Sequence, residues 1–94
     1  VRSFHVDKCI LSVSAVDLER RILCTLNPQI GCVQQAMIDM SQTSIVVADH
    51  SKFDRAALSV IASADRIDHF VTDEATRPSV AKASPDIRRK FIFA

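Results

Sequence analysis

The chain has 94 residues, of which 48% are hydrophobic and 24% charged, and its formal net charge at pH 7 is +1. This length corresponds to one small domain or part of one, and the apolar content is too high for an intrinsically disordered segment. Because acidic and basic residues nearly balance, the chain lacks the excess of positive charge that nucleic-acid binding needs. We therefore do not expect this segment to bind DNA by itself. Because the first residue is Val1 and not Met, we interpret the chain as a piece of a longer protein.

The three cysteines, Cys9, Cys24 and Cys32, are odd in number and show no C-x-x-C spacing. This pattern supports neither a disulfide framework nor a zinc site, and the spacing of His5 and His69 indicates no other metal site. We therefore expect no cofactor and a reducing, cytoplasmic compartment. The longest apolar run is well short of the ~20 residues that span a bilayer, so no membrane association is expected.

Strands and helices alternate in the predicted order of elements. In chain order the sequence predicts a strand at 8–13, an irregular stretch at 17–27, a helix at about 28–41, a strand at 43–48, a single turn at 63–65, a strand at 67–72, a weak helix from 77 to about 84 and a strand at 90–93. Residues 54–62 fit either a short helix or an extended segment, since periodicity does not distinguish the two. The alternation favours an α/β fold built on a parallel sheet.

The first helix has a clear start signal. Asn27 can accept hydrogen bonds from the unpaired amides of the first turn, and Pro28 is pre-set for the first helical position. Four apolar residues then recur at helical spacing and predict the buried face of the helix: Ile30, Val33, Met37 and Met40. The polar residues Gln34, Gln35 and Asp39 are expected to face elsewhere.

The second strand is a near-continuous apolar run, typical of a strand covered on both faces in a parallel sheet. It stops at Asp49, and Ser51 and Lys52 follow at once. Ligands bind at the carboxyl edge of such sheets, and a Lys beside a Ser suits a phosphate or sugar oxygen. Asp49 is also expected to cap the following turn. Alternation predicts that His50 points away from its neighbours, as a surface or packing histidine.

Polar residues also follow the other predicted strands. Ser14 and Asp17 come after the first strand, and Thr72 and Asp73 come after the third. Because the carboxyl ends of parallel strands lie side by side, we expect these groups to converge with those that follow residue 48.

Four segments in a fixed order carry a family resemblance: DKCILSVSAVD at 7–17, TLNPQ at 25–29 before a helix with Ala-Met, VVADHSKF at 46–53 and IDHFVTDE at 67–74. In this order and spacing the chain resembles the C-terminal half of the effector-binding domain of DeoR-family transcriptional regulators. The resemblance implies a Rossmann-like fold shared with ribose-5-phosphate isomerase and glucosamine-6-phosphate deaminase. It also implies a cytoplasmic repressor that binds operator DNA through an N-terminal winged helix-turn-helix, which is absent from this chain. Residues 1–94 would then be part of a sensor domain for a phosphorylated sugar or related metabolite.

The resemblance also implies the effector-binding residues. They are Lys52, Ser51 and Asp49 from the strand-end motif, Asp17 and Thr25 from the turn and the pre-helix position, and Thr72 and Asp73 from the third strand end. The chain departs from the family pattern in its early helix, where Gln29 or Ile30 replaces a frequent Glu and Gln34 replaces a frequent Lys. A frequent Gly is replaced by Ile22. The loss of that Lys leaves Lys52 as the one cation expected at the site.

Three hypotheses on function follow. The first is a ligand-sensing domain without catalysis, whose effector shifts an attached DNA-binding oligomer, expected to be a homo-oligomer, between two states. The second is a sugar-phosphate isomerase, which needs a carboxylate base within reach of its substrate, whereas the early helix here offers Gln. The third is an oligomerisation module with a vestigial pocket.

Overall fold

The computed structural model describes residues 6–94, so the N-terminal residues 1–5, among them His5, lie outside the described part. The strands are β1 (Val6–Ser12), β2 (Ala15–Asp17), β3 (Ile22–Thr25), β4 (Ser41–Val47), β5 (Ser59–Ser63), β6 (His69–Thr72) and β7 (Phe91–Phe93). The helices are α1 (Pro28–Met40), α2 (Arg77–Ala81) and α3 (Pro85–Arg88), with single 3₁₀ turns at His50–Lys52, Ala64–Arg66 and Glu74–Thr76.

A four-stranded parallel sheet organises the fold, with the strand order β1-β4-β6-β7. The predicted α/β class with a parallel sheet is therefore confirmed. The core lies on one face of this sheet, where Leu11, Val46 and Phe70 from three successive strands are buried. The ring of Phe70 stacks on that of Phe91 with their centroids 4.7 Å apart.

A second sheet was not predicted. It is antiparallel, with the order β2-β3-β5. The prediction of an irregular stretch at 17–27 is therefore wrong, and the ambiguous residues 54–62 end in the strand β5. Strands of three or four residues are too short to show a period, and β3 depends on a partner in β5 that is distant in the sequence. Arg21, in the turn before β3, has a φ of 61°, and its guanidinium binds Asp65 and Asp86.

Helix α1 begins as predicted but buries a different face. The side-chain oxygen of Asn27 accepts hydrogen bonds from the backbone N–H groups of Gln29 and Ile30. The buried residues of the helix are Gly31, Gln34 and Ile38.

The predicted buried face of α1 is wrong in its first half, since Ile30 is 49% exposed and Val33 is 60% exposed. Gly31 has no side chain, and it lets the helix approach β3 so closely that an added Cβ would lie 3.1 Å from the Thr25 methyl carbon. The helix is thus rotated so that Gly31 faces β3, and Ile30 and Val33 face outward.

The second face of the parallel sheet carries apolar side chains that no described residue covers. Ile10, Val47 and Ile92 are 67%, 44% and 50% exposed. Val47 pairs with Val71, and Val71 pairs with Ile92, so the side chains of Val47, Val71 and Ile92 form a row across the sheet. Parallel sheets are normally covered on both faces, and this face is therefore open to a further layer.

Candidate functional site

Residues 49–52 form a hydrogen-bonded turn shortly after β4. A carboxylate oxygen of Asp49 accepts a hydrogen bond from the backbone N–H of Ser51 at 2.8 Å, and it also accepts one from the Ser51 hydroxyl. These bonds hold the pKa of Asp49 below its usual value, the Ser51 hydroxyl being the largest cause. The predicted capping role of Asp49 is confirmed. The cap fixes the 3₁₀ turn from which Lys52 projects.

Lys52 lines a groove of about 490 Å³, a volume within the range of small-molecule sites. The groove lies between the end of β1, the segment that joins β3 to α1, and the chain that follows the 3₁₀ turn. Its lining consists of Ser12, Val13, Ser14, Ala15, Thr25, Leu26, Ile30, Gln34, Lys52, Arg55, Ala56 and Ala57. Of the seven predicted site residues, this groove brings together Lys52 and Thr25.

The groove is positively charged. Lys52 and Arg55 both line it, and its lining includes no Asp or Glu among residues 6–94. Neither cation forms an ion pair with a carboxylate anywhere in residues 6–94. A guanidinium N–H of Arg55 donates instead to the backbone carbonyl of Ser51 at 3.1 Å, which holds the arginine beside the turn. Two unpaired cations beside hydroxyl and amide groups can bind an anion.

Arg55 is a groove residue that the sequence reading missed, and the expectation of Lys52 as the one cation at the site is wrong. The available signal was its position three residues after Lys52. That signal was weak, because an irregular segment gives no rule for the direction of a side chain.

Thr25 and Gln34 contribute buried polar side chains to the groove. The Thr25 hydroxyl accepts from the backbone N–H of Asn27 at 3.4 Å. The side-chain amide nitrogen of Gln34 donates to the backbone carbonyl of Ser12 at 2.7 Å. The Gln34 amide oxygen is buried without a hydrogen-bond partner among the described residues. The expectation that Gln34 faces away from the core is therefore wrong.

Three other predicted site residues line a separate shallow hollow at the ends of β4 and β6. Asp49, Thr72 and Asp73 contribute to this hollow of about 200 Å³. The Thr72 hydroxyl is buried and hydrogen-bonded to the Thr76 hydroxyl at 2.7 Å, and Thr76 in turn donates to Asp73 at 2.9 Å. The expected convergence of strand ends is thus seen for β4 and β6, where these residues stabilise the turns.

Asp17 and Ser51 take other positions. Asp17 lies in β2 of the second sheet, where its carboxylate accepts from the backbone N–H of Arg20 at 3.1 Å. Ser51 faces Asp49 within its own turn. An effector contact by Asp17, Ser51 or the three residues of the shallow hollow stays a prediction.

His50 joins the two strand ends. Its Nδ1 lies 2.7 Å from a carboxylate oxygen of Asp73, and both side chains are exposed to solvent. The hydrogen bond to Asp73 raises the pKa of His50, and the same bond lowers the pKa of Asp73. The prediction of a surface histidine is confirmed, since the His50 side chain is exposed and bonds to Asp73 and not to its chain neighbours. Residues 50–52 form a 3₁₀ turn, so strand alternation is not the reason for this direction.

A second cavity, of about 380 Å³, lies between α1 and β5. Its cation is Arg66, which is already paired with Asp39 at 2.6 Å, so this cavity offers no unpaired charge to an anion. Within residues 6–94 no group of three or more His, Cys, Asp and Glu side chains could hold a metal ion. Cys9, Cys24 and Cys32 are free thiols.

Comparison with known proteins identifies the family. A family profile described as "DeoR C terminal sensor domain" matches residues 1–74. The chain belongs to this family. The resemblance carried by the four sequence segments is therefore confirmed, together with the fold that it implied.

Several curated transcriptional regulators are similar to the chain. The transcriptional repressor AccR of Agrobacterium fabrum is 42% identical over all of the chain and 36% of its own length. The putative aga operon transcriptional repressor of Escherichia coli O157:H7 is 36% identical over 79% of the chain and 27% of its own length. The glycerol-3-phosphate regulon repressor of Haemophilus influenzae is 30% identical over 79% of the chain and 29% of its own length.

The sensor-domain chain spans about a third of the length of these curated relatives. Their names describe transcriptional regulators. In the part of the chain that the structure describes, no helix combines the length and apolar character needed to cross a membrane.

Proposed function

We propose that this chain is the effector-binding part of the sensor domain of a DeoR-type transcriptional repressor, and that the groove beside Lys52 binds an anionic metabolite. The observation that carries the proposal is the charge of the groove, where Lys52 and Arg55 are joined by no Asp or Glu from the described part of the chain. A phosphorylated sugar or a related compound has the matching charge. The name of the relative from H. influenzae, a glycerol-3-phosphate regulon repressor, supports a ligand of this class.

The bound anion would act by differential affinity. An attached winged helix-turn-helix, supplied by another part of the full-length protein, would bind operator DNA in one of two states. The effector shifts the balance between these states only if the groove binds it more tightly in one of them. Lys52 is suited to this role because its turn follows β4. A change in the position of Lys52 on binding would therefore reach the central sheet through the end of this strand.

We propose binding without catalysis. Proton transfer on a sugar phosphate needs a base within hydrogen-bond reach of the substrate. Among the described residues the groove lining contains no carboxylate and no histidine, and helix α1 contributes only Ile30 and Gln34 to it. The curated relatives carry names of regulators, which supports the same choice.

The uncovered sheet face supports the further proposal that the chain is one part of a larger domain, and we propose in addition that the full-length protein is a homo-oligomer. Ile10, Val47 and Ile92 remain exposed on a parallel sheet that normally has layers on both sides. The rest of the sensor domain would cover this face. Light scattering on the full-length protein tests the oligomer, and a monomer at micromolar concentration would contradict it.

The effector proposal is tested on the full-length regulator that contains this chain. Calorimetric titration with inorganic phosphate and glycerol 3-phosphate measures binding in the parent protein and in the variants Lys52→Ala and Arg55→Gln. Each substitution is expected to weaken binding by about 10-fold or more, the range for a hydrogen bond to a charged group. Lys82→Ala is the matched control, because Lys82 is exposed and lies outside the groove.

Two results would contradict the effector proposal. The first is the absence of heat and of any rise in melting temperature with both anions in the parent protein. The second is unchanged binding in both Lys52→Ala and Arg55→Gln, which would place the anion at another site.

A further inference from the structure

Gln34 presents an unused hydrogen-bond acceptor at the wall of the groove. The residue is 8% exposed and lies in the middle of α1. Its amide oxygen is buried and lacks a partner among residues 6–94, although it belongs to a side chain that lines the groove. Buried polar groups in native proteins are nearly all hydrogen-bonded, so an exception calls for a partner that the described chain does not supply.

The orientation of this amide is fixed by its other bond. The Gln34 nitrogen lies 2.7 Å from the backbone carbonyl oxygen of Ser12. A carbonyl can only accept a hydrogen bond, so the nitrogen must face it, and a flipped amide would set two acceptors against each other. The oxygen that remains can accept only from an O–H or N–H donor.

The groove therefore offers two different kinds of recognition. Lys52 and Arg55 offer donors to an anion, whereas Gln34 offers an acceptor to a hydroxyl group. The strands that lead to the two sides, β1 and β4, are neighbours in which Ser12 pairs with Val47. Gln34 and Lys52 line the same groove, so one ligand in it can contact both.

Because the Gln34 oxygen is buried, a side chain of the groove must move before a ligand can reach it. Leu26 and Ile30 line the same groove, and they are 71% and 49% exposed. Exposed side chains change rotamer easily, so a ligand can displace them and shield its own hydroxyl from water. Their carbon atoms then replace solvent around the hydrogen bond, which strengthens it.

We propose that Gln34 determines effector specificity by accepting a hydrogen bond from an alcohol hydroxyl of the ligand. The groove then selects a compound that carries both an anionic group and a hydroxyl donor. This inference rests on the proposed anion site at Lys52 and Arg55, and it adds the chemical class of the second group. Sites that hydrogen-bond a substrate hydroxyl discriminate strongly against analogues that lack it, because the buried partner is then left unpaired.

The test compares two phosphate esters on the full-length regulator. Glycerol 3-phosphate and n-propyl phosphate have the same charge and three carbons each, but only the first has hydroxyl groups. Titration calorimetry is expected to show that the parent protein binds glycerol 3-phosphate at least tenfold more tightly than propyl phosphate. In Gln34→Met, which has a similar volume and no amide, the preference is expected to fall to within about twofold.

Inorganic phosphate and a neighbouring variant provide the controls. Gln34→Met is expected to leave the affinities for inorganic phosphate and propyl phosphate within twofold of the parent values. Gln35→Met should leave all three affinities unchanged, because Gln35 is exposed and lies at the other cavity. Gln34→Leu repeats the test if the Met variant fails to fold, as judged by circular dichroism.

Each remaining outcome overturns the inference in a recognisable way. If none of the three compounds binds, the anion site itself fails and the inference fails with it. If the phosphates bind and the parent protein shows no preference for glycerol 3-phosphate, only the inference fails. If Gln34→Met keeps the preference for glycerol 3-phosphate, the inference is wrong. A changed melting temperature of the ligand-free variant would then indicate that another segment of the protein donates a hydrogen bond to the Gln34 oxygen.

Discussion

The close contact between Gly31 and Thr25 leads to a quantitative prediction. Gly31 is the one glycine in the sequence, and it lies within α1 against the buried side chain of Thr25. A Cβ at position 31 would be 3.1 Å from the Thr25 Cγ2, whereas carbon atoms in ordinary contact are ~3.5–4.0 Å apart. Gly31→Ala therefore requires Thr25 to move.

Two opposing terms decide the stability of Gly31→Ala. Replacement of Gly by Ala inside a helix stabilises by about 1 kcal/mol. Overpacking of a filled core costs about 1–3 kcal/mol, and Thr25 has little room, since it pairs with Ser59 in the second sheet. With a middle value of about 2 kcal/mol for the overpacking, the net loss is about 1 kcal/mol.

A double-mutant cycle isolates the contact. Thr25→Ser keeps the hydroxyl and removes the clashing methyl, at a cost of about 1 kcal/mol by itself. In the double variant the new Ala methyl fills the vacated space, so its stability should lie within about 0.5 kcal/mol of the parent. The coupling energy is then about 2 kcal/mol. Equilibrium urea unfolding followed by circular dichroism measures all four proteins.

Ala36→Gly measures the difference in stability between alanine and glycine in this helix without a clash, because Ala36 is an exposed position in α1. It is expected to cost about 1 kcal/mol. The reasoning is refuted if Gly31→Ala is more stable than the parent protein. It is also refuted if the two single effects add in the double variant.

Three further predictions concern the helix start, the core and the strand-end turn. Asn27→Ala removes the cap of α1 and should destabilise the protein by about 0.5–2 kcal/mol in urea unfolding. Phe70→Ala removes a fully buried ring that stacks on Phe91, so a loss of about 3–5 kcal/mol is expected in the same assay. His50→Gln removes the partner of Asp73. Because that carboxylate raises the pKa of His50, the pair stabilises the fold below about pH 6.5 and loses this effect as the pH rises through the folded-state pKa.

Each of these predictions has its own check. Asn27→Ser retains a capping oxygen and should recover most of the stability lost in Asn27→Ala. Phe70→Leu should cost much less than Phe70→Ala, and equal losses would mean that the core does not pack around this ring. For His50, the melting-temperature difference between parent and His50→Gln should be larger at about pH 6 than at about pH 8.5. A difference independent of pH would show that the pair with Asp73 does not form.

Local signals in the sequence predicted the elements that depend on neighbouring residues. The Asn27–Pro28 pair predicted the start of α1, because capping involves only the first turn of a helix. The apolar run before Asp49 predicted a parallel strand, and the short Asp-x-Ser pattern predicted the cap that holds the turn of Lys52. The expectation that this strand is covered on both faces is wrong for the described residues, which bury Val46 and leave Val47 exposed. The order of four such segments was enough to indicate the family.

The groove depends on contacts between residues distant in the sequence. Gln34 reaches the groove because α1 packs on the strands with Gly31, Gln34 and Ile38 inward, against the apolar spacing of Ile30 and Val33. The short strands β2, β3 and β5 show no period of their own and form by pairing with one another. Arg55 enters the groove from an irregular segment, where no repeat predicts direction.

The sequence alone thus determined the fold class, the family and the turn that carries Lys52, because these follow from local chemistry and from the order of motifs. Only the tertiary structure decided which side chains share the groove with Lys52. Side-chain direction depends on how helices and sheets pack, and that packing brought Arg55 and Gln34 to one groove and left Asp17, Thr72 and Asp73 outside it.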